Sequence, residues 1–426
     1  MTAEVAVLNK LGVALAADSI VTITSNRGDK TYNTSNKLFT LSKFHPVGIL
    51  TYGSVEVDTL PVEIAIKEFR EKLHDASRPK LEDYSSEFVE FLASFTPSDD
   101  KTDRRNFAAI AADHADTIKQ RFNRECRSRK IARDRSGFTV EMEDALDKVL
   151  ARLRNGLAKA GRFAQLAHIT QLEVDARYGG IIERAINEEF DGPPLGDQKA
   201  SQMAALISEW ILSNRISDAS CGIVVAGYGS EQHYPGIIEH EVEGKIFGIL
   251  KISTDDPTRI DHENQSIIRA YAQRNAAQLF MCGVDPGYQR FIDDGVAGLL
   301  PGLASEVAAH FSVADPDKIE ALRKIFENKA TDFIASMADR RHDHFVKPLY
   351  DTVDFLDKPE LAALAENLVS LTALKQKISL DLETVGGPID VAVISKHDGF
   401  IWIKRKHYFS ADLNHSYITN YLKPRR

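Results

Sequence analysis

Cysteine is nearly absent from this sequence: Cys126, Cys221 and Cys282 are spread over 426 positions. None falls in a CxxC pair or beside a His-rich stretch, which argues against a disulfide framework and a structural zinc site and leaves reduced core thiols. Long apolar runs are missing too. No eighteen consecutive residues are apolar, and the first residues lack the basic, apolar and small-residue succession of a secretory signal. A membrane partner is not expected, and the cytoplasm is the expected compartment. An excess of positive charge is also lacking. The 53 Lys and Arg against 62 Asp and Glu give a formal net charge of -9, which disfavours a nucleic-acid or anionic-membrane binder. Compositional bias is absent as well: 43% hydrophobic and 27% charged residues are ordinary for a globular protein and exclude disorder or a fibrous repeat. The length allows two or three average domains.

What is present reads as strands near both ends with helices between them. Residues 3–8 and 13–17, rich in Val, Leu and Ala, flank Asn9-Lys10-Leu11-Gly12 and predict a hairpin. Residues 37–42 and 47–53 predict a second, with Pro46 in the turn because proline cannot donate in a ladder. From Val57 the apolar spacing becomes helical. Further helices are predicted near 83–95, 103–131, 140–165, 168–188 and 198–214, then at about 264–283 and 316–345. Strand character returns at 222–227 and 245–253. A helix over 358–380 precedes Gly386-Gly387-Pro388, and 389–394 with 400–403 form a closing hairpin about Asp398-Gly399. This order predicts an α+β fold with helices on the outer faces of mostly antiparallel sheets. It divides into a discontinuous core at 2–81, 197–285 and 358–408, helical insertions at 82–196 and 286–357, and a tail at 409–426.

The chemistry concentrates at the start of the chain. A turn centred near residue 10 sets Thr2 opposite Asp18, and one centred near residue 45 sets Lys37 opposite Gly53. A threonine hydroxyl is a poor nucleophile until a base takes its proton, and a free α-amine, with an ordinary pKa of about 7.7–8.0, is a usable base near neutrality. Thr2 is small enough for Met1 to be trimmed, which would leave Thr2 as both nucleophile and amine base. Lys37 would lower the hydroxyl pKa, Asp18 would hold that ammonium charged, and the Gly53 N–H would face the oxyanion formed on attack at a carbonyl. Each residue alone has a plainer reading, as a turn, a solvated strand end or a common second residue. What sets the four apart is the coincidence of their spacing.

At these residues the sequence resembles the proteasome β-type subunits and the bacterial HslV peptidase. Thr2-Ala3-Glu4-Val5-Ala6-Val7 with Gly12 to Ser19 is similar to their opening strand pair, Lys37-Leu38-Phe39 to the strand of their catalytic lysine, and Leu50-Thr51-Tyr52-Gly53-Ser54 with Asp58 to the segment of their oxyanion glycine. Gly222 to Gly227 resembles a mid-chain strand, and Gly386 to Ile394 with Asp398-Gly399-Phe400 the closing hairpin. The resemblance covers about half of the chain. It implies a four-layer αββα N-terminal nucleophile sandwich that hydrolyses peptide or other amide bonds through an ester on Thr2, without metal or cofactor. It also implies supporting roles for Ser19, Asp381 and Asp390 and a homo-oligomeric ring. Where the family carries a Gly-Ser-Gly loop and an Asp-Ser pair, this chain has Arg274-Asn275-Ala276-Ala277-Gln278 and Leu382-Glu383-Thr384-Val385, with Asp381 one position from the expected aspartate. The helical insertions have no counterpart in a typical subunit. They cap the site, replace ring interfaces, dock an unfoldase or other protein partner, or only extend the scaffold.

Two other readings stand beside a threonine peptidase acting on polypeptide or amide substrates. One is a catalytically inactive scaffold or protein-binding subunit of the same fold. The other is a nucleic-acid binder, resting on the basic run Lys119, Arg121, Arg124, Arg127, Arg129, Lys130, Arg133 and Arg135. That run is interrupted by Glu125 and Asp134 and reads more simply as a solvated helix face or one paired with acidic helices. His342-Asp343-His344 places two histidines on different sides of a helix, which does not suit a metal.

Overall fold

The computed structural model describes residues 2–25, 28–131, 139–190, 196–379, 384–407, 409–416 and 419. The chain opens with β1 (Ala3–Asn9) and β2 (Gly12–Ala17), followed by a side hairpin of β3 (Val21–Ser25) and β4 (Gly28–Tyr32). Next come β5 (Leu38–Thr40), β6 (Val47–Gly53) and the two-residue β7 (Glu56–Val57) and β8 (Leu60–Pro61). Six helices follow: α1 (Val62–Leu73), α2 (Leu81–Phe95), α3 (Asp100–Ser128), α4 (Val140–Ala160), α5 (Gln171–Glu189) and α6 (Asp197–Ile211). The chain returns to strands in β9 (Cys221–Gly227), β10 (Gly236–Ile246), β11 (Ile249–Thr254), β12 (Thr258–Arg259) and β13 (Ser266–Ala272). Five more helices, α7 (Asn275–Cys282), α8 (Pro286–His310), α9 (Pro316–Arg341), α10 (Lys347–Val353) and α11 (Lys358–Lys377), lead to the closing β14 (Asp390–Ser395) and β15 (Gly399–Lys404).

Two antiparallel sheets dominate. The first has the order β13-β1-β2-β14-β15, and the second β11-β10-β9-β6-β5, with β12 beside β10. Side chains of alternating positions on one strand point to opposite faces. On β1, Ala6 and Leu8 pack toward the second sheet with Leu15, Leu50, Val224 and Tyr271, while Ala3, Val5 and Val7 pack toward α11. The second sheet likewise turns Leu50, Val224 and Ala226 inward and Ile49, Ile223 and Val225 outward onto α1 and α2. The result is helix, sheet, sheet, helix. Strands buried on both faces explain the near-continuous apolar runs in β1, β2 and β9. The expected mixed α and β architecture with antiparallel sheets is present.

Several boundaries differ from the sequence reading. Residues 266–272, expected in a helix, are a strand paired with all of β1, from Ala3 opposite Ala272 to Asn9 opposite Ser266. The predicted strand at 245–253 straddles a turn at Phe247-Gly248, and most of β10 lies before it. α2, assigned to the 82–196 insertion, buries Tyr84, Phe88 and Leu92 against the second sheet. α6, assigned to the core, buries Met203, Leu206 and Ile207 with α3, α4 and α5. The central helical unit is thus α3 to α6 around its own core, with Ile246 of β10 at its edge. α8 and α9 form a separate hairpin in which Ala304, Ala308 and Ala330 are the buried hydrophobic residues.

Candidate functional site

β1 and β2 are joined by a two-residue turn, with Asn9 opposite Gly12 and Glu4 opposite Ala17. The Asn9 side chain fixes that turn by accepting from the Leu11 N–H at 2.9 Å and donating to the carbonyls of Val353 and Leu356 at 2.9 and 2.8 Å. The register is therefore one residue from the expected one. Ala3, not Thr2, faces Asp18, and the Asp18 N–H bonds to the Ala3 carbonyl at 3.1 Å. The second hairpin corrects in the same way. Leu38 pairs with Leu50, so Lys37 meets Thr51, whose N–H reaches the Lys37 carbonyl at 2.8 Å, and Gly53 lies two residues further on.

The shifted registers still assemble a site. Asp18 is fully buried. Its Oδ1 accepts from the Ala3 N–H at 3.1 Å and from Lys37 Nζ, and its Oδ2 accepts from the N–H groups of Gly386 at 3.0 Å and Ile20 at 3.3 Å. These four donors fill the lone-pair sites of a carboxylate. They also tie the end of β2 to the Gly386-Gly387-Pro388 loop. Ser19 strengthens that tie, its N–H donating to the Gly386 carbonyl at 3.1 Å and its hydroxyl to the Pro388 carbonyl.

Sequence reasoning missed the fourth member. Glu4 lies two residues after Thr2, on the same face of the chain, and is fully buried between the sheets. Its Oε2 accepts from the Thr2 hydroxyl at 3.0 Å, and its Oε1 lies 3.4 Å from Lys37 Nζ. Thr2 is 3% exposed, and its carbonyl receives the Gln273 N–H at 3.0 Å from the end of β13. Burial, assisted by the charge on Asp18, pushes the Glu4 carboxyl up to about 8 against the opposing pull of Lys37 and Thr2. The signal available in the sequence was a single charged residue inside Ala-Glu-Val-Ala-Val-Leu-Asn, a strand otherwise apolar to its last position.

The remaining expected residues lie elsewhere. Gly53 ends β6 with φ +74°, a conformation suited to glycine, and a Cβ there would stand 2.6 Å from the Ser220 carbonyl oxygen. Gly53 is opposite Cys221 in the ladder, two residues beyond the Thr51 that meets Lys37. Asp390 is buried, but its carboxylate takes the backbone N–H of Lys406 at 2.8 Å and the Lys406 ammonium, so it latches the chain after β15 and does not face Thr2. Asp381 lies outside the described residues. Asp58 accepts the Lys245 N–H at 2.8 Å and fixes the bulged end of β10. His342 and His344 lie on a π-type turn after α9, and among the described residues no helix is long and apolar enough to cross a membrane. No family model matches the sequence, and no curated protein matches it.

Proposed function

We propose that this protein is a threonine-type N-terminal nucleophile hydrolase of the proteasome-like class, cleaving peptide or other amide bonds through an acyl ester on Thr2 once Met1 is removed. The observation that carries this reading is the buried chain of contacts Thr2–Glu4–Lys37–Asp18, hydrogen-bonded at Thr2–Glu4 and Lys37–Asp18 and ion-paired at Glu4–Lys37, built where two facing antiparallel sheets bring β1, β2 and the residue before β5 together. A hydroxyl, an ammonium and two carboxylates in a site shielded from water are the groups needed to move one proton away from a nucleophile and return it. In the proposed reaction Thr2 Oγ attacks the substrate carbonyl and its proton passes to a base. The C–N bond then breaks as the amine leaves with a proton, and water hydrolyses the ester. Lys37, paired with Asp18, stabilises negative charge as it develops at this end of β1. The oxyanion role expected for Gly53 gains no support from its position opposite Cys221.

The second reading, a non-catalytic scaffold of the same layered architecture, is favoured by the burial of Thr2. One experiment separates the two. The purified protein, its intact mass first determined, is incubated with a peptide β-lactone or epoxyketone, and the modified residue is located by mass spectrometry. A single adduct on Thr2 of the Met1-free chain, absent from Thr2→Ala, is the expected result. A Met1-free sample without an adduct would overturn the hydrolase reading in favour of the scaffold.

A further inference from the structure

Resting on that reading, we propose that Glu4 is the catalytic base that takes the Thr2 hydroxyl proton, in place of the α-amine. Three observations lead there. First, Glu4 Oε2 is the acceptor of the Thr2 hydroxyl at 3.0 Å, within the distance at which a general base works. Second, the other groups of the cluster cannot accept the proton. Asp18 already receives four donors, and a charged lysine has donors only. Third, Glu4 has capacity left. Its Oε1 is buried without a hydrogen bond, 3.4 Å from Lys37 Nζ.

The charges around Glu4 explain why it would hold and release a proton near neutrality. Asp18 from the end of β2 and Lys37 from the start of β5 are the charged groups acting on it, giving two carboxylates to one ammonium. From β13 it faces Tyr271, whose hydroxyl donates to Glu239 at 3.1 Å and whose ring stacks on Tyr52 at 5.2 Å. Burial and the surplus carboxylate raise the Glu4 carboxyl to about 8, where a base both binds and returns a proton readily. As the Oγ–C bond forms, the Thr2 proton moves to Glu4 Oε2. Glu4 then protonates the departing amine as the C–N bond breaks. In the second half Glu4 takes a proton from the attacking water, and Thr2 Oγ recovers one as its ester bond is cut.

The test is the rate of Thr2 acylation by a β-lactone, followed against pH, in the wild type, Glu4→Gln and Glu4→Asp. Glutamine keeps the shape and the hydrogen bond but cannot take the proton, and should slow acylation by about 100-fold or more. Aspartate should restore part of the rate and move the midpoint of the pH profile, which a structural role would leave in place. An α-amine titrates in the same range, so the wild-type profile alone does not discriminate. Acylation of Glu4→Gln at Thr2 within threefold of wild type overturns Glu4 as base and leaves the hydrolase reading standing. A wild type that is not acylated at Thr2 overturns both. Should Glu4→Gln not fold, the Glu4→Asp profile decides, and an unmoved midpoint there overturns the proposal.

Discussion

Lys37, Lys245 and Lys251 are buried among the described residues, and the two that meet buried carboxylates, Lys251 and Lys37, sit in differently balanced surroundings. Lys251 of β11 meets one carboxylate, Glu243 of β10, at 2.6 Å, and both side chains are wholly inaccessible. The Lys251 ammonium also donates to the Arg215 carbonyl at 2.8 Å, and Glu243 receives the Ser217 N–H at 2.7 Å. This is a one-to-one pair with hydrogen bonds to the segment after α6, and it pins the central helical unit to the second sheet. Burial lowers the Lys251 pKa while Glu243 opposes that shift. Lys37, by contrast, lies between Asp18 and Glu4. One ammonium stands against two buried carboxylates, and burial raises the proton affinity of Glu4, with Lys37 opposing the rise and Asp18 adding to it. A balanced buried pair fixes structure, whereas an unbalanced cluster holds a proton in readiness.

The largest effect expected from breaking this contrast is at the balanced pair. Lys251→Met leaves Glu243 charged and buried without its counterion and should destabilise the protein by about 3–5 kcal/mol, whereas Lys251→Met with Glu243→Leu should recover most of that loss. Denaturant unfolding followed by tryptophan fluorescence measures both. Equal destabilisation in the single and double variants would show that the pair is not what holds the segment. A second effect, set by pH, should come from the unbalanced cluster. Because the folded-state pKa of Glu4 is raised from 4.5 to about 8, its stabilising contribution is fully present below 4.5 and is lost as pH rises through about 8. The melting temperature of wild type should therefore fall across this window more steeply than that of Glu4→Gln. Parallel curves for the two proteins would remove Glu4 as the source.

The same contrast shows which parts of the molecule are legible in its sequence. The hairpins β1–β2, β5–β6 and β14–β15 could be read because their partners are close in the chain and their apolar runs stop at recognisable turns. Their registers could not, since a two-residue turn at Lys10-Leu11 depends on Asn9 being held by carbonyls of Val353 and Leu356, more than three hundred residues away. β13 was lost for a similar reason. Ser266-Ile-Ile-Arg-Ala-Tyr-Ala becomes a strand by pairing with β1. Amphipathic spacing marked α2 and α6 as helices but says nothing of which core a stripe will face. At the site, hairpin spacing points to Asp18 and Lys37 only approximately, because the network of backbone donors sets the true pairing. Glu4 does not stand out in the sequence because a charged residue in a strand ordinarily faces water.

The smallest effect tests the helical unit itself, where a titratable group is buried without a hydrogen-bond partner. His114 of α3 is fully buried, stacks on Trp210 of α6 with ring centroids 4.3 Å apart, and has no hydrogen bond at either ring nitrogen. Asp113 Oδ2 is 3.9 Å from Nδ1, but burial depresses the ring to about 3, so the histidine is neutral at physiological pH and the contact is not an ion pair there. Its folded-state pKa lies below the ordinary 6.5, so the unfolded chain binds the extra proton, and stability present above 6.5 is lost as pH falls toward 3. This slope is opposite to that of Glu4. His114→Phe keeps the stacked ring, removes two unpartnered polar atoms and should raise stability by about 1 kcal/mol at neutral pH. It should also flatten the acid side of the melting curve and leave the Glu4-dependent alkaline side unchanged. A variant that shifts both sides together would mean that the helical unit and the sheet site do not titrate independently, despite their separate cores.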